Sequence, residues 1–314
     1  MTQSAHTHHP LELESLLRPW IEKLGAALEA LQADRPDDLA EARAAYTDWF
    51  AARFPAPDGV TYEEDHADGV PVTRVRPGET VPGRTLLYLH GGGYLAGAPR
   101  GYRGLVGRYA RRLRAEAVIP DYRLAPDARY PAAIDDNLRA YAALLKEGHD
   151  ADSIVFSGDS AGGAMAVALM VAARDAGLPL PAAAVAISPW ANLEHTGASI
   201  ATKAETDPLC TPEALRLMAL SYLGGNPLDS PLASPVFADV GGLPPVMIQI
   251  GEREIMLSDA VRLAEHLADA GVRVTLEAWP GMPHVWHLFS EDLKDADAAL
   301  DSAVAFLDAR LSCA

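Results

Sequence analysis

Residues 153–163 read SIVFSGDSAGG. Ile154, Val155 and Phe156 are a short apolar run of strand type, and the residues from Ala161 onward favour a helix. Between them stands Ser160, held in Gly158-Asp159-Ser160-Ala161-Gly162 with a further Gly163. Small residues permit close backbone approach, so the stretch could be a tight turn and nothing more. Set between a strand and a helix, however, G-x-S-x-G is a strained, sharp turn that lifts a serine hydroxyl to the top of a sheet. The helix that follows points its N-terminal N–H groups at the same spot and favours negative charge there.

The same strand-then-helix pattern extends along the chain. Strand-type segments fall at 60–65, 70–77, 84–90, 116–122, 153–158, 182–188, 245–251 and 272–279. Several, such as TLLYL and VMIQI, are nearly continuous apolar runs, as strands covered on both faces should be. Helical patterns at 101–114, 131–147, 161–176, 257–270 and 292–311 separate the later strands. This alternation predicts the α/β class, with a mostly parallel sheet flanked by helices.

Residues 11–54 place Leu13, Leu16, Leu17, Trp20, Leu24 and Leu28 at helical spacing, predicting two amphipathic helices broken near Arg35-Pro36. Residues 190–235 break into helical pieces punctuated by proline. An insertion there lies beyond the carboxyl ends of the strands, where open α/β sheets bind ligands. The expected organisation is N-terminal helices (1–55) and an insertion (190–235) forming a helical cap over a core of 56–189 and 236–314.

Composition narrows the partners. The 314 residues are 49% hydrophobic and carry 43 acidic against 26 basic side chains, a formal charge of −17. Such a surface repels nucleic acid and anionic lipid, so neither is expected as a partner. The only cysteines are Cys210 and Cys313, which argues against a disulfide scaffold and fits a reducing compartment. The N-terminus lacks a basic segment followed by an apolar run, and no stretch reaches the ~20 apolar residues of a membrane helix. A cytoplasmic protein is expected. His6, His8 and His9 have no second ligand cluster nearby, so no metal site is assigned.

A second glycine motif, His90-Gly91-Gly92-Gly93-Tyr94, directly follows the strand-type RTLLYL. Three glycines after a strand could be a mere turn, or could leave backbone N–H groups free for an oxyanion. A serine hydroxyl also needs a base. The stretch WPGMPHVWH supplies His284 in a Pro/Gly-rich turn after the last strand, with His287 as the alternative. His66, His149, His195 and His266 lie in polar stretches and read as solvated surface. The base needs a carboxylate, expected in the chain order Ser, Asp/Glu, His. Past PVMIQIG three compete. Glu254 can turn toward the loop of His284, Asp259 reads as a helix-start charge, and Glu252 reads as solvated or paired with Arg253.

Together, HGGGY (90–94), YRLAP (122–126), GDSAGG (158–163) and GMPHV (281–285) resemble the hormone-sensitive-lipase-like bacterial carboxylesterases of the α/β-hydrolase superfamily. The resemblance runs from about Tyr62 onward. It implies an eight-stranded core with a helical cap, Ser160 as nucleophile and His284 as base. It also implies an oxyanion hole from the N–H groups of Gly92, Gly93 and Ala161. Many relatives carry Asp-Pro-Leu at the acid position, where this chain has Glu254, thirty residues before His284; a branch of the family uses Glu there. Asp207-Pro208-Leu209 imitates that motif but lies before the last two strands and reads as a helix-entry turn. In YRLAPDARYPAAIDD (122–136), the prolines with Asp135 and Asp136 read as fixing a loop and a helix start.

The expected reaction is acyl transfer from an ester to water by Ser160, Glu254 and His284, needing no cofactor, with a base pKa near ~6.5. Tyr94, Trp20, Leu215, Met218 and Tyr222 are candidate pocket residues, and a homodimer is a further expectation. Short- to medium-chain acyl esters are the expected substrates, with lactones, including terpenoid lactones, as the alternative. A non-catalytic ligand receptor, as in the plant gibberellin receptors that resemble this family, is disfavoured because His284 is retained.

Overall fold

The computed structural model describes residues 10–311, so His6, His8, His9 and Cys313 lie outside the described residues. Two helices open the chain, α1 (Pro10–Gln32) and α2 (Pro36–Arg53), broken at Arg35-Pro36 as the sequence predicts. The hairpin β1 (Val60–Ala67) and β2 (Val70–Pro77) precedes β3 (Thr85–Leu89), α3 (Pro99–Leu113) and β4 (Glu116–Pro120). Then come α4 (Ala132–Lys146), β5 (Ile154–Asp159), α5 (Ala161–Asp175) and β6 (Ala183–Ile187). The short α6 (Ser199–Thr202) and α7 (Pro212–Leu223) follow, and the chain ends with β7 (Val246–Gly251), α8 (Leu257–Asp269), β8 (Val274–Trp279) and α9 (Lys294–Asp308).

The strands form one eight-stranded sheet in the order β1-β2-β4-β3-β5-β6-β7-β8. β2 pairs antiparallel with both β1 and β4, while every pairing from β4 to β8 is parallel. β3, β5, β6 and β7 are buried along their whole length, which is why they read as unbroken apolar runs. α5 packs against β3, β5 and β6, and every residue from Ala161 to Ala173 is buried.

The register sets the site. Leu89 pairs with Gly158, and Asp159 with Ile187, so the glycine motif after β3 and the serine turn after β5 emerge side by side. This close approach requires the two outer glycines of G-x-S-x-G. A Cβ on Gly158 would stand 2.5 Å from the carbonyl oxygen of Leu89, and one on Gly162 only 1.9 Å from it.

The two N-terminal helices behave differently. α2 is joined to the core through aromatics: Phe50 meets Tyr102 of α3 with ring centroids 5.5 Å apart, and Phe54 meets Phe289 at 5.2 Å. α1 packs on α2 and also touches α7 of the 190–235 segment. The sequence placed both helices in the cap; residues of both, Leu17 and Trp20 of α1 and Tyr46 and Phe50 of α2, belong to the one continuous core cluster. No helix among the described residues is long and apolar enough to cross a membrane.

Candidate active site

Ser160 sits between β5 and α5 with φ 56° and ψ −119°. The strain of the turn therefore falls on the serine itself, a left-handed non-glycine position that only surrounding packing can hold. Three backbone bonds hold it: Ser160 N–H donates to Ile187 O at 2.9 Å, and its carbonyl accepts from Trp190 at 3.0 Å and Ala164 at 3.1 Å.

The glycine loop is fastened to this turn by Asp159, buried directly before the serine. Its Oδ1 accepts from Gly91 N–H at 3.0 Å and from Tyr88 O–H at 2.8 Å. Tyr102 O–H donates to Oδ2 at 3.3 Å. Burial raises Asp159 to about 6, opposed by the tyrosine and backbone donors and by the His284 charge. His90 is also structural. Its ring stacks on Tyr122 at 4.2 Å, and burial lowers its pKa to about 4, so it is neutral under ordinary conditions.

Gly92 and Gly93 have φ 112° and 63°. A Cβ on Gly92 would stand 2.1 Å from Ala96 O, and one on Gly93 2.2 Å from Met218 Sδ. Among the described residues, no acceptor takes the N–H groups of Gly92, Gly93 or Ala161. The 122–136 loop braces this motif from behind, with Tyr122 O–H donating to His90 O at 2.6 Å and Ala125 N–H to Tyr94 O at 2.8 Å. Asp136 does the loop-fixing expected of it, taking Arg123 N–H at 3.0 Å and the Arg123 guanidinium at 2.9 Å.

Of the three competing carboxylates, Glu254 meets the histidine. Its Oε2 lies 2.7 Å from His284 Nδ1, and both side chains are buried. Oε1 accepts from Gly251 N–H at 2.6 Å and Ser188 O–H at 2.8 Å. Ser188, at the end of β6 with φ 46°, also accepts from Val285 N–H at 3.1 Å. One hydroxyl thus ties the acid to the residue after the base. Glu252 is exposed and pairs with Lys203 rather than Arg253. Asp259 does start α8, yet it is fully buried and bonded to Asn192 at 3.3 Å, with burial raising it to about 7.

Burial alone would lower His284, but the Glu254 charge and hydrogen bond, helped by Asp207 and Asp159, outweigh it and raise the imidazole above 6.5. Burial also pushes Glu254 up, against the pull of His284 and Gly251. Three donors converge on this carboxylate, so it stays ionised and the raised imidazole governs the pair. His287, the alternative base, is turned away. Its Nε2 bonds Gln249 Oε1 at 2.9 Å, and burial lowers it to about 3.

Ser160 and His284 line one cavity with Gly92, Gly93 and Asp159, about 400 Å³ including its mouth. With Nδ1 committed to Glu254, Nε2 is the imidazole's remaining ring nitrogen. Catalytic hydrogen bonds often tighten only when substrate is bound. Trp20, Leu215 and Met218 line this cavity, as expected of them. Tyr94 and Tyr222 do not. They stack on each other at 3.7 Å behind the wall, and Tyr94 O–H reaches Ala161 O at 3.3 Å. Residues the sequence did not assign to the pocket complete the lining: Leu24, Tyr46, Trp190, Leu209, Cys210 and Met256. Of the histidines read as surface, only His66 is exposed. His149 contacts Thr85 Oγ1, His195 accepts from the Trp190 indole, and His266 contacts Ala238 O.

A profile of the α/β-hydrolase fold matches residues 86–288. The chain belongs to the α/β-hydrolase family, among its hormone-sensitive-lipase-like carboxylesterases. It is 45% identical to an acetyl-hydrolase of Streptomyces hygroscopicus over 233 residues, 74% of this chain and 78% of that one. An ethyl acetate hydrolase of Pseudomonas putida is 29% identical over 96% of this chain and 92% of its own. Among solved structures, a hormone-sensitive lipase from a metagenome library superposes with a TM-score of 0.87 at 36% identity, covering 97% of this chain and 99% of that one. An esterase of the bacterial hormone-sensitive lipase family gives 0.84 at 37% identity, over 93% and 99%.

Proposed function

We propose that the protein hydrolyses short-chain carboxylic esters through a Ser160–His284–Glu254 triad and an acyl-enzyme. The observation that carries this reading is the 2.7 Å Glu254–His284 pair, buried beside a serine on a strained strand-to-helix turn, with both Ser160 and His284 facing one cavity. His284 Nε2 takes the hydroxyl proton as Ser160 Oγ bonds to the ester carbonyl carbon. The N–H groups of Gly92, Gly93 and Ala161 receive the oxyanion, a role in which losing one donor typically costs about 10²–10³ in rate. The imidazolium then gives its proton to the leaving alcohol. Water, deprotonated by the same nitrogen, releases the acid and restores the serine.

The small, mostly apolar cavity supports short acyl groups. Met218 stands directly against Gly93, leaving little depth beside the oxyanion amides. Relatives named acetyl-hydrolase and ethyl acetate hydrolase support the same substrate class. α1 and α7, which touch each other and share the lining, act as the cap. Rates on p-nitrophenyl acetate, butyrate and octanoate and on a seven-membered lactone, for the wild type and Ser160→Ala, test the reading. Acetate or butyrate should be preferred and Ser160→Ala inactive. An octanoate or lactone preference would move the substrate class, and an active Ser160→Ala would remove the mechanism.

A further inference from the structure

The Asp207-Pro208-Leu209 triplet does not open a helix, since α7 begins at Pro212 behind a Thr211 cap. Its carboxylate is buried and takes three backbone N–H groups. Oδ1 accepts from Leu209 at 2.9 Å and Cys210 at 3.0 Å, two residues of the cavity wall. Oδ2 accepts at 2.9 Å from Ile255, the residue directly after Glu254. Neighbouring bonds join the same two segments. Ser199 O–H donates to Ile255 O at 2.6 Å, and Ser258 O–H accepts from Ser199 N–H at 2.9 Å. Lys203 pairs with Glu252, and Arg253 donates to Thr206 O at 3.0 Å. The turn carrying Glu254 is therefore gripped along its length by residues 199–207. Hydrogen bonds to a charged acceptor are the strong members of such a set.

We infer that Asp207 is a positioning residue for ester hydrolysis, a clamp that holds the Glu254 turn to the wall of the substrate cavity. The inference rests on the proposed triad. Asp207 does not face the reacting atoms; it acts through Glu254, whose neighbour Ile255 it holds to Leu209 and Cys210 of the cavity wall. The charged groups acting on His284 are Glu254, Asp207 and Asp159, all of which hold its proton more tightly.

The test compares Asp207→Asn, Glu254→Gln and the double variant on p-nitrophenyl acetate across pH. Asn keeps one acceptor oxygen but loses the charge and the second acceptor. The expected result is a kcat roughly tenfold lower, as for other outer partners of site residues, with KM nearly unchanged and the acid limb of kcat/KM moved to lower pH. On top of Glu254→Gln, the further loss should be smaller than in the wild-type background, because residues acting through one another are not additive. A purely structural Asp207 would lower the melting temperature and leave kcat per folded molecule and the pH midpoint where they were; that result overturns the inference. Should Asp207→Asn fail to fold, Ser199→Ala removes the adjoining half of the clamp. A lower kcat at constant KM supports the inference and an unchanged kcat overturns it. Full activity in Glu254→Gln would instead bring down the triad assignment, and the clamp with it.

Discussion

Replacing Glu254 by Gln removes one charge while keeping the shape of the side chain. In the structure its Oε2 is 2.7 Å from His284 Nδ1, and a unit charge pair at that distance in an effective dielectric of ~20 is worth about 6 kcal/mol. The imidazolium formed as Ser160 gives up its proton loses most of this attraction, and an amide can also hold the ring in the wrong tautomer. At about 1.36 kcal/mol per tenfold, a loss of about 4–6 kcal/mol lowers kcat by roughly 10³–10⁴. The pH profile changes as well. In the wild type the raised imidazole must lose its proton to act as base, so kcat/KM rises through a midpoint above 6.5. Without the Glu254 charge, burial is the largest remaining influence and lowers the imidazole, so the residual activity persists to lower pH. The assay is initial-rate hydrolysis of p-nitrophenyl acetate from pH 5 to 9, with the melting temperature recorded in parallel. A Glu254→Gln variant with full kcat, or with an unmoved midpoint, refutes the assignment of the acid.

Other positions give further tests. Gly92→Ala would force a Cβ to 2.1 Å from the Ala96 carbonyl, displacing the loop; kcat should fall about 10²–10³, with burst kinetics separating slow acylation from slow deacylation. Met218→Ala opens space beside Gly93, so the ratio of octanoate to acetate kcat/KM should rise, and an unchanged ratio would show that this side chain does not limit the acyl pocket. His287→Asn should keep the wild-type pH midpoint, because that ring is neutral and held by Gln249. Asp259, raised to about 7 from an ordinary 3.8, binds its proton more tightly folded than unfolded, so its contribution is present below about pH 4 and is lost as pH rises toward 7. Asp259→Asn should therefore raise the melting temperature at pH 8 relative to wild type and change it little at pH 4; equal shifts at both would contradict this.

The strands and the Ser160–Glu254–His284 set were legible because each depends on local pattern. Unbroken apolar runs mark covered strands, and the serine turn, glycine loop and histidine turn each follow a strand end. Glu254 could be preferred over Glu252 from its distance beyond β7, and Asp207 could be set aside because it precedes the last two strands instead of following the end of β7. What could not be read depends on segments meeting in space. Ser188 looks like the end of a strand, yet its hydroxyl joins Glu254 to Val285. Asp159 occupies the variable position of G-x-S-x-G, but the register of β3 against β5 brings it under the glycine loop. Tyr94 and Tyr222 were expected in the pocket because they are aromatic and near it; their mutual stacking turns them into its backing. The expected base pKa near 6.5 was too low, since it left out the buried carboxylate that raises His284.

Mass spectrometry of the folded protein after treatment with a fluorophosphonate bears most directly on the nucleophile. One label should be found on the peptide containing Ser160, with esterase activity lost in proportion and labelling slowed in His284→Ala. Complete inactivation with the label on another residue, or an active enzyme after Ser160 is fully modified, would contradict the mechanism.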